Sequence, residues 1–373
     1  MEVEKIKLPF RMKQPVLAMG GQAKNRVCFA GGNLAYLSPG HPDLTNPNDF
    51  SNFQKDIKSF LKKRPRIIAY DYHDEYQSTK YAVSFLSGYQ LIPIQHHHAH
   101  ITSCMAENSL KNKKIIGVAF DGTGLGDDNT LWGGEFLVCD YKNFERKAHL
   151  QEIPLLGGER AISEPARLAA IWLYFIYKDK FLNLKNIGLI KKIDKGKWRA
   201  LKSMYISGLN TPLSSSMGRL FDAVAALVLV KDKARFEAEL AIKLQKIAMD
   251  YRLKSAGYRF NILKGKNKYI LSPLPMFKEI IGDLASGEPK EKVAYRFHLT
   301  VAGMIKKMSL ALRKETKINR IALSGGVFQN NLLLSLSLDL LYKEGFEVFT
   351  HRKLSCNDSG ISLGQAAIAN FRS

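Results

Sequence analysis

Cysteine is sparse in this chain of 373 residues, and its spacing excludes two classes of small, stapled protein. The four cysteines lie far apart and form no C-x-x-C pair; they are Cys28, Cys104, Cys139 and Cys356. A disulfide framework or a zinc ribbon needs closely spaced cysteines, so we expect neither. Reduced thiols in the cytoplasm are the simplest expectation.

Long apolar runs are also missing. The most apolar stretches, 168–177 and 223–230, fall short of the roughly 18 residues that a membrane span needs. The first five residues include two glutamates and lack the apolar region of a secretory signal. We therefore expect a cytoplasmic protein with no membrane partner.

Acidic residues are few. Lysine and arginine number 56 against 34 aspartates and glutamates, which gives a formal net charge of +22. Such a charge attracts acidic proteins, nucleic acid or phosphorylated ligands through long-range steering. The lysines are scattered over apparent helix faces without a compact patch of aromatic residues and arginine, so nucleic acid stays open as a partner but is not favoured.

Two common nucleotide motifs are absent. The chain has no G-x-x-x-x-G-K-[ST] loop and no G-x-G-x-x-G after a strand, which argues against P-loop and Rossmann proteins. Its length and its hydrophobic content of 46% instead suit a large core shared by two packed lobes.

The order of predicted elements indicates an α/β fold that repeats once. Short strands at 16–19, 26–29 and 35–37 precede a helix at about 46–63, a strand at 67–71, a helix at about 76–86 and a strand at 91–94. This is the order of an RNase-H-like lobe. The pattern restarts with strands at 115–120, 131–139 and 148–153, and it ends with strands at 320–324 and 346–350 and helices from 326 and 358. We predict lobe I at 1–110 and lobe II at 111–373, with a helical insertion at about 160–315.

A run of histidines marks a candidate metal site. His96 and His100 lie at i and i+4 of a predicted helix, so two imidazoles on one face can reach one cation. His97 and His98 point elsewhere and are predicted to contact the site's surroundings or a substrate. Asp121 ends a buried strand and is placed to supply a carboxylate, whereas Asp358 is equally suited to cap the last helix.

Three glycine clusters at strand or helix ends are candidates for binding phosphate, because backbone N–H groups can approach an anion where no Cβ intervenes. Each cluster alone is a weak signal. The clusters are Gly122, Thr123 and Gly124, then Gly218 with Asp222, then Gly325, Gly326 and Asn330.

Lys24 follows the Gly20-Gly21 turn, where its ammonium could neutralise a phosphate. An exposed lysine in an ordinary hairpin is the alternative.

These motifs together resemble the Kae1-like module of the HypF family of hydrogenase maturation carbamoyltransferases, within the ASKHA (acetate kinase, Hsp70, actin) superfamily. The resemblance covers nearly the whole chain in order. Its motifs are Gly20-Gly21 with Lys24-Asn25, Asp71 to Tyr76, His96 to His100, Phe120 to Gly124, Trp132 to Phe136, Glu164-Pro165, Ser216 to Asp222, Phe297-His298, Ser324 to Asn330, and Asn357-Asp358 with Gly360 to Ala366.

The resemblance implies roles for individual residues. An iron or zinc ion would be held by His96, His100, Asp121 and Asp358, and the two histidines would act in catalysis. The nucleotide, ATP or carbamoyl-adenylate, would contact Gly122, Thr123, Gly124, Gly218, Asp222, Gly325, Gly326 and Asn330, while Lys24 and Asn25 would face the carbamoyl end.

The resemblance also implies a carbamoyl transfer from carbamoyl-adenylate to the C-terminal cysteine of the partner protein HypE. Complete family members carry acylphosphatase, zinc-finger and YrdC-like domains that are not found in this sequence, so a separate YrdC-like protein is expected to supply the adenylate. The sequence departs from the family at 236–239, where Phe-Glu-Ala-Glu replaces a Tyr-Glu-Gly element, and at Ser359.

Three alternatives remain on this fold. The acceptor could be a small-molecule hydroxyl, as in antibiotic O-carbamoyltransferases, or the tRNA adenosine of the related threonylcarbamoyl transferases. A different class is a subunit that binds nucleotide without turnover. The histidine run and the sequence Val-Phe-Gln-Asn at 327–330 favour the HypF family.

Overall fold

The first of two large sheets lies in the N-terminal quarter of the chain. The computed structural model describes residues 3–251 and 255–373; Met1 and Glu2, where the sequence predicts no export signal, lie outside them. The strands are β1 (Glu4–Lys7), β2 (Val16–Ala18), β3 (Ala23–Asn25), β4 (Cys28–Gly31), β5 (Leu34–Leu37), β6 (His41–Asp43), β7 (Ile67–Asp71) and β8 (Gln90–Ile94). Six of them form a sheet in the order β1-β5-β4-β2-β7-β8, and β3 pairs with β6.

The second sheet holds nine strands. They are β9 (Ile115–Leu125), β10 (Leu131–Cys139), β11 (Phe144–Leu150), β12 (Ile153–Pro154), β13 (Leu213–Ser214), β14 (Asn261–Lys264), β15 (Tyr269–Ser272), β16 (Arg320–Ser324) and β17 (Glu347–Phe349). Its main path runs β14-β15-β11-β10-β9-β16-β17.

The two sheets share one topology. In each, a central strand pairs antiparallel with a hairpin of two strands on one side and parallel with two strands on the other; the runs are β5-β4-β2-β7-β8 and β11-β10-β9-β16-β17. The prediction of two RNase-H-like lobes is confirmed. The segment between β11 and β16 carries most of the helices, as the sequence predicts for the second lobe.

Twelve α-helices accompany the strands in the described residues. The first begins at Pro47 because Asn46 caps it by accepting from the backbone of Asn48. They are α1 (Pro47–Leu61), α2 (Gln77–Phe85), α3 (His96–Glu107), α4 (Arg160–Ser163), α5 (Ala166–Tyr177), α6 (Lys195–Ser207), α7 (Met217–Leu229), α8 (Glu239–Met249), α9 (Leu274–Ala285), α10 (Lys290–Thr316), α11 (Asn331–Lys343) and α12 (Ile361–Arg372).

Several predicted elements have different bounds. The strand predicted to end before Asp121 continues to Leu125, and the helix predicted from 358 starts at Ile361 after a 3-10 turn at Asp358–Gly360. The helix expected from Gly326 is a short 3-10 turn at Gly326–Gln329, and α11 starts only after Asn330 caps it. The third strand of lobe II ends at Leu150 rather than 153, and β12 follows as a separate strand. Gly325 precedes the 3-10 turn with φ of +104°, and the polar pair Gln151-Glu152 separates β11 from β12.

Two helices cross between the sheets. Helix α3 packs against β9, β10 and β16 of the second sheet, while α12, from the end of the chain, packs against β2, β4 and β7 of the first. The two helices also pack on each other, and their apolar residues form one buried cluster with both sheets. The opposite face of the first sheet is covered by α1 and α2. The division at residue 110 remains a prediction about domains.

The helices of the chain are too short or too polar to cross a membrane, as far as residues 3–251 and 255–373 are concerned.

Candidate metal centre and adjoining cavity

Four side chains from three parts of the chain converge at the joint between the lobes. Each of His96, His100, Asp121 and Asp358 offers one ligand atom, and these atoms all lie within 4.8 Å of one another. The carboxylate of Asp121 lies 3.4 Å from Nε2 of His96 and 3.3 Å from Nε2 of His100. Asp358 lies 3.4 Å from Nε2 of His100. The structure thus gathers the four residues that the resemblance nominates as ligands.

Local structure explains why these side chains meet. The side chain of Gln95 caps α3, which starts at His96 and therefore directs His96 and His100 to the same face. Asp121 lies on β9, whose neighbour along the sheet is β16. The helix-capping alternative for Asp358 is not observed, because Asn357 accepts the backbone N–H of Ser359. The carboxylate of Asp358 is left to face the histidines.

The carboxylates of this cluster favour positive charge on the histidines or on a bound cation. Burial opposes a charged ring at His96, but the charge of Asp71 and hydrogen bonds with Asp121 and Asp358 raise the pKa of His96 well above its usual value. Burial also opposes a charged Asp121, yet hydrogen bonds from both histidines hold the pKa of Asp121 well below its usual value. Paired carboxylates and imidazoles in a buried site are the environment that a divalent cation satisfies.

The residue behind His96 also suits a transition-metal site. Nδ1 of His96 lies 2.8 Å from the carboxylate of Asp71, and both side chains are fully buried. A carboxylate that accepts from one ring nitrogen leaves the other nitrogen with its lone pair toward the site, as in many histidine ligands to metals. The residues present therefore fit an iron or zinc ion held by two nitrogens and two oxygens.

The other two histidines of the run have structural contacts. Nε2 of His98 lies 2.6 Å from the carbonyl oxygen of Asp140, and Nδ1 of His97 lies 3.2 Å from the side-chain amide of Gln95. Both rings are fully buried, which lowers the pKa of His97 to about 3 and that of His98 to about 4. Neither ring reaches solvent, so in this structure both histidines contact surrounding residues, and a contact with substrate stays a prediction.

A cavity of about 340 Å³ adjoins the cluster. Asp121 belongs to both, since one of its oxygens faces the histidines and the other accepts the backbone N–H of Gly326 at 2.9 Å. The predicted residues that line the cavity are Lys24, Asp121, Gly122, Gly218, Asp222, Gly326 and Asn330. The other predicted residues of this region, Asn25, Thr123, Gly124 and Gly325, are not in its lining.

Two of these glycines instead permit close packing. A Cβ on Gly124 would lie 2.7 Å from ring atoms of His96 and His97, so this glycine lets the hairpin approach the candidate metal site. Gly325 has φ of +104°, and a Cβ there would lie 2.2 Å from the carbonyl oxygen of Phe120. Both positions shape the walls of the site without facing the cavity.

The N-terminus of α7 points to the same place. Ser216 caps this helix by accepting from the N–H of Arg219, and a Cβ on Gly218 would lie 2.9 Å from Cα of Gly122. The first turn of the helix therefore lies in close contact with the backbone of β9 at Gly122. Free N–H groups and the dipole at a helix N-terminus favour an anion such as phosphate.

The cavity wall also contains Arg219, Glu237 and Gln245, to which the sequence patterns assigned no role. Arg219 and Asp222 form a buried pair with Nε and Oδ2 3.0 Å apart, and burial raises the pKa of Asp222 above its usual value. Glu237 and Gln245 complete the wall on the side of α8. Arg219 lies inside the motif Ser216 to Asp222, whereas Glu237 and Gln245 are brought near only by the helical insertion.

The two residues after the Gly20-Gly21 turn differ in environment. Lys24 is exposed, has φ of +50° and lines the cavity. Asn25 is fully buried, and its amide nitrogen donates to the carbonyl oxygens of Met19 and Gly21. Among described residues, no partner lies within hydrogen-bond reach of the Asn25 side-chain oxygen. The turn thus holds Asn25 in place and leaves one acceptor unused.

Comparison with known protein families places the chain in one class. Residues 117–365 match the family described as "Carbamoyltransferase, Kae1-like Domain, second subdomain", and residues 11–107 match the family described as "HypF Kae1-like domain".

The chain belongs to the HypF family, through its Kae1-like domains. A carbamoyltransferase HypF of Synechocystis sp. is 34% identical over 96% of this chain and 48% of that protein. A carbamoyltransferase HypF homolog of Cupriavidus necator is 32% identical over 95% of this chain and 91% of that protein. The chain spans about half the length of several curated relatives and nearly all of the latter.

Two solved HypF structures share the fold of this chain. A full-length HypF in a phosphate- and nucleotide-bound form has a TM-score of 0.91 and 39% identity, with 98% of this chain and 47% of that chain covered. A HypF of T. kodakarensis has a TM-score of 0.87 and 28% identity over 98% of this chain and 49% of that chain.

Proposed function

We propose that this protein is a carbamoyltransferase that moves a carbamoyl group from carbamoyl-adenylate to an acceptor thiol. The observation that carries the proposal is the shared position of Asp121, which joins a four-ligand cluster to a cavity of nucleotide size. The names of the relatives support the activity, and the phosphate- and nucleotide-bound form of a full-length HypF supports a nucleotide ligand.

The proposed chemistry exchanges the carbon–oxygen bond of the adenylate for a carbon–sulfur bond. The acceptor thiol loses its proton to solvent, its sulfur attacks the carbamoyl carbon, the bond from that carbon to the adenylate oxygen breaks, and AMP leaves with the electron pair. An iron or zinc ion held by His96, His100, Asp121 and Asp358 would supply Lewis-acid polarisation of the phosphate and carbamoyl oxygens. The remaining work of binding and orientation belongs to the chain's own side chains.

Individual residues suit particular parts of the ligand. The N-terminus of α7 and the backbone at Gly122 and Gly326 suit a phosphate, because these groups present N–H donors without a side chain in between. The Lys24 ammonium can neutralise the same charge. Asn25 lies outside the cavity lining and holds the turn that carries Lys24, while Asp222, in the lining, can accept from ligand hydroxyls.

The acceptor and the supplier are proposals from the family resemblance. We propose the C-terminal cysteine of HypE as the acceptor and a separate YrdC-like protein as the source of carbamoyl-adenylate. The reaction would take place in the cytoplasm, where the four unpaired cysteines of this chain would stay reduced.

Transfer can be tested with purified chain, synthetic carbamoyl-adenylate and HypE. We expect HypE to gain the mass of one carbamoyl group on its C-terminal cysteine, and we expect loss of that product with His96→Ala/His100→Ala. His41→Ala is the matched control, because it removes a buried histidine that pairs with Asp56 in the first lobe. Release of AMP without a HypE adduct would overturn the thiol acceptor and would direct the search to hydroxyl compounds or tRNA. No release of AMP with metal-loaded protein would overturn the activity itself.

A further inference from the structure

His298 is a buried histidine whose two ring nitrogens both have partners. It lies on α10 and is fully buried. Nδ1 lies 2.8 Å from the carbonyl oxygen of Ala294, and Nε2 lies 2.9 Å from the side-chain nitrogen of Asn330. A carbonyl oxygen can only accept, so Nδ1 carries the proton and Nε2 accepts from the Asn330 amide.

The ring stays neutral under ordinary conditions. Burial lowers the pKa of His298 to about 4, so the ring keeps its lone pair on Nε2 near neutral pH. The ring is also held edge-on against Phe221, at 5.3 Å between centroids and 76° between planes. Phe221 lines the cavity, so His298 lies directly behind the cavity wall.

Asn330 is held at both ends of its amide. Its oxygen accepts the backbone N–H of Leu333 at 2.9 Å and so caps α11, while its nitrogen donates to His298. These two bonds fix which end of the amide is oxygen and which is nitrogen. One N–H and one oxygen lone pair remain unused by these contacts, and Asn330 lines the cavity.

We propose that His298 is a positioning residue that fixes the Asn330 amide so that one N–H donor is aimed at an acceptor atom of the bound nucleotide. This proposal rests on the proposed function, because it requires an adenylate in the cavity. His298 itself does not touch the ligand. It acts by holding the amide in a single orientation before the ligand arrives, which avoids the cost of ordering that side chain on binding.

The test compares variants that keep or remove the acceptor on His298. AMP binding to metal-loaded protein is measured by calorimetry, and metal content is measured in the same samples. His298→Leu and His298→Phe remove the acceptor, and the phenylalanine keeps a ring against Phe221. We expect each to weaken AMP binding about tenfold, the loss of roughly one hydrogen bond. His298→Gln can accept through its side-chain oxygen, and we expect it to bind AMP within about threefold of the original protein.

A double variant separates positioning from general damage. If His298 acts through Asn330, His298→Leu in an Asn330→Ala background will weaken AMP binding no further than Asn330→Ala alone. The matched control is His149→Leu, since His149 is also buried and has Nδ1 2.8 Å from a backbone carbonyl, that of Leu150, but does not line the cavity. We expect the control to lower stability and to leave AMP affinity unchanged.

The outcomes are distinguishable. Additive effects of the two substitutions, or equal AMP affinity in His298→Phe and the original protein, would overturn the positioning role and leave the proposed function standing. Failure of the original metal-loaded protein to bind AMP would overturn the proposed function, and the role of His298 with it. Loss of metal from the His298 variants would also count against the proposal, because His298 is not in contact with the cluster.

Discussion

Asp121 is the residue on which both halves of the candidate site depend. One carboxylate oxygen faces the two histidines, and the other accepts the N–H of Gly326 in the next strand-to-helix loop. A change at this position therefore alters the candidate metal site and the cavity wall together. The same carboxylate is held ionised by its surroundings, as the lowered pKa of Asp121 indicates.

Asp121→Asn tests this dependence. Asparagine keeps the size of the side chain and can still accept from Gly326, but it lacks the negative charge that a cation needs. We expect the metal content of purified protein to fall about tenfold, since one charged ligand of four is lost. Metal analysis checks this, with Asp127→Asn as the control in the exposed part of the same hairpin. Equal metal content in both variants would contradict the assigned cluster.

Ala238 is a second residue with a definite conformational consequence. It precedes α8 with φ of +62°, in the left-handed region that alanine adopts at a cost of about 1 kcal/mol. We expect Ala238→Gly to raise the free energy of unfolding by about 1 kcal/mol in urea titrations. Ala241→Gly, inside the same helix, should instead lower it by a similar amount.

Sequence patterns predicted the histidine pair of the cluster better than they predicted the cavity wall. A spacing of four on a helix is a local property, so the pairing of His96 with His100 follows from the sequence alone. The role of Gly124 does not, because its contact with His96 depends on how the hairpin folds back. The same limit applies to Gln245, which reaches the cavity only through the packing of the insertion.

At the scale of elements, the end of α3 is tied to the loop that leads to Asp358. The carboxylate of Glu107, on the last turn of α3, accepts from the backbone N–H groups of Arg352 and Leu354 and lies 2.8 Å from Nδ1 of His351. The other nitrogen of His351 lies 2.9 Å from the hydroxyl of Ser324. One carboxylate thus connects the histidine helix, the end of β16 and the loop before α12.

Glu107→Gln should weaken this connection. The glutamine amide cannot supply four acceptor sites, so buried N–H groups lose partners, and we expect the free energy of unfolding at pH 7 to fall by about 2 kcal/mol. Glu145→Gln removes an exposed partner of Lys147 and should change stability by less than about 0.5 kcal/mol. Urea titrations of the three proteins provide the measurement.

The effect of Glu107→Gln should depend on pH. Burial opposes its charge, but hydrogen bonds from His351 and the backbone lower the pKa of Glu107 below its usual value. A lowered folded-state pKa stabilises the protein above the unfolded pKa, about 4.3, and that stabilisation is lost as pH falls through the folded value. The difference in free energy of unfolding between the original protein and the variant should therefore be largest near neutral pH and should shrink below about pH 4. A difference that grows on acidification would contradict the assignment.

At the scale of the whole molecule, the crossing of α3 and α12 joins the lobes. The alternation of strands and helices was enough to predict two repeated lobes, because hydrophobic periodicity is local. It could not predict which sheet a helix covers, since α3 and α12 are apolar on the faces that both sheets could accept. The crossing also brings Asp358, just before α12, next to the histidines of α3, which explains why the site is assembled from distant segments.

Close contact between these helices depends on one glycine. A Cβ on Gly364 of α12 would lie 1.9 Å from the carbonyl oxygen of Ala99 on α3, so the two backbones approach each other where no side chain intervenes. Gly282 of α9 is the matched case, because a Cβ there would meet nothing within 4 Å. Helix propensity favours alanine at both positions, but only at Gly364 does packing between the lobes oppose it. Comparing alanine substitutions at the two positions therefore separates the two effects.

Gly364→Ala should lower the free energy of unfolding by about 3 kcal/mol, because α3 and α12 must move apart to admit the methyl group. Gly282→Ala should raise it by about 0.5 to 1 kcal/mol, since alanine loses less backbone entropy in a helix. The first variant should also lose metal, because α3 carries His96 and His100 while Asp358 is attached to α12. Urea titration and metal analysis of both variants give the comparison. A stabilised Gly364→Ala protein that keeps its metal would show that the interlobe contact does not hold the site together.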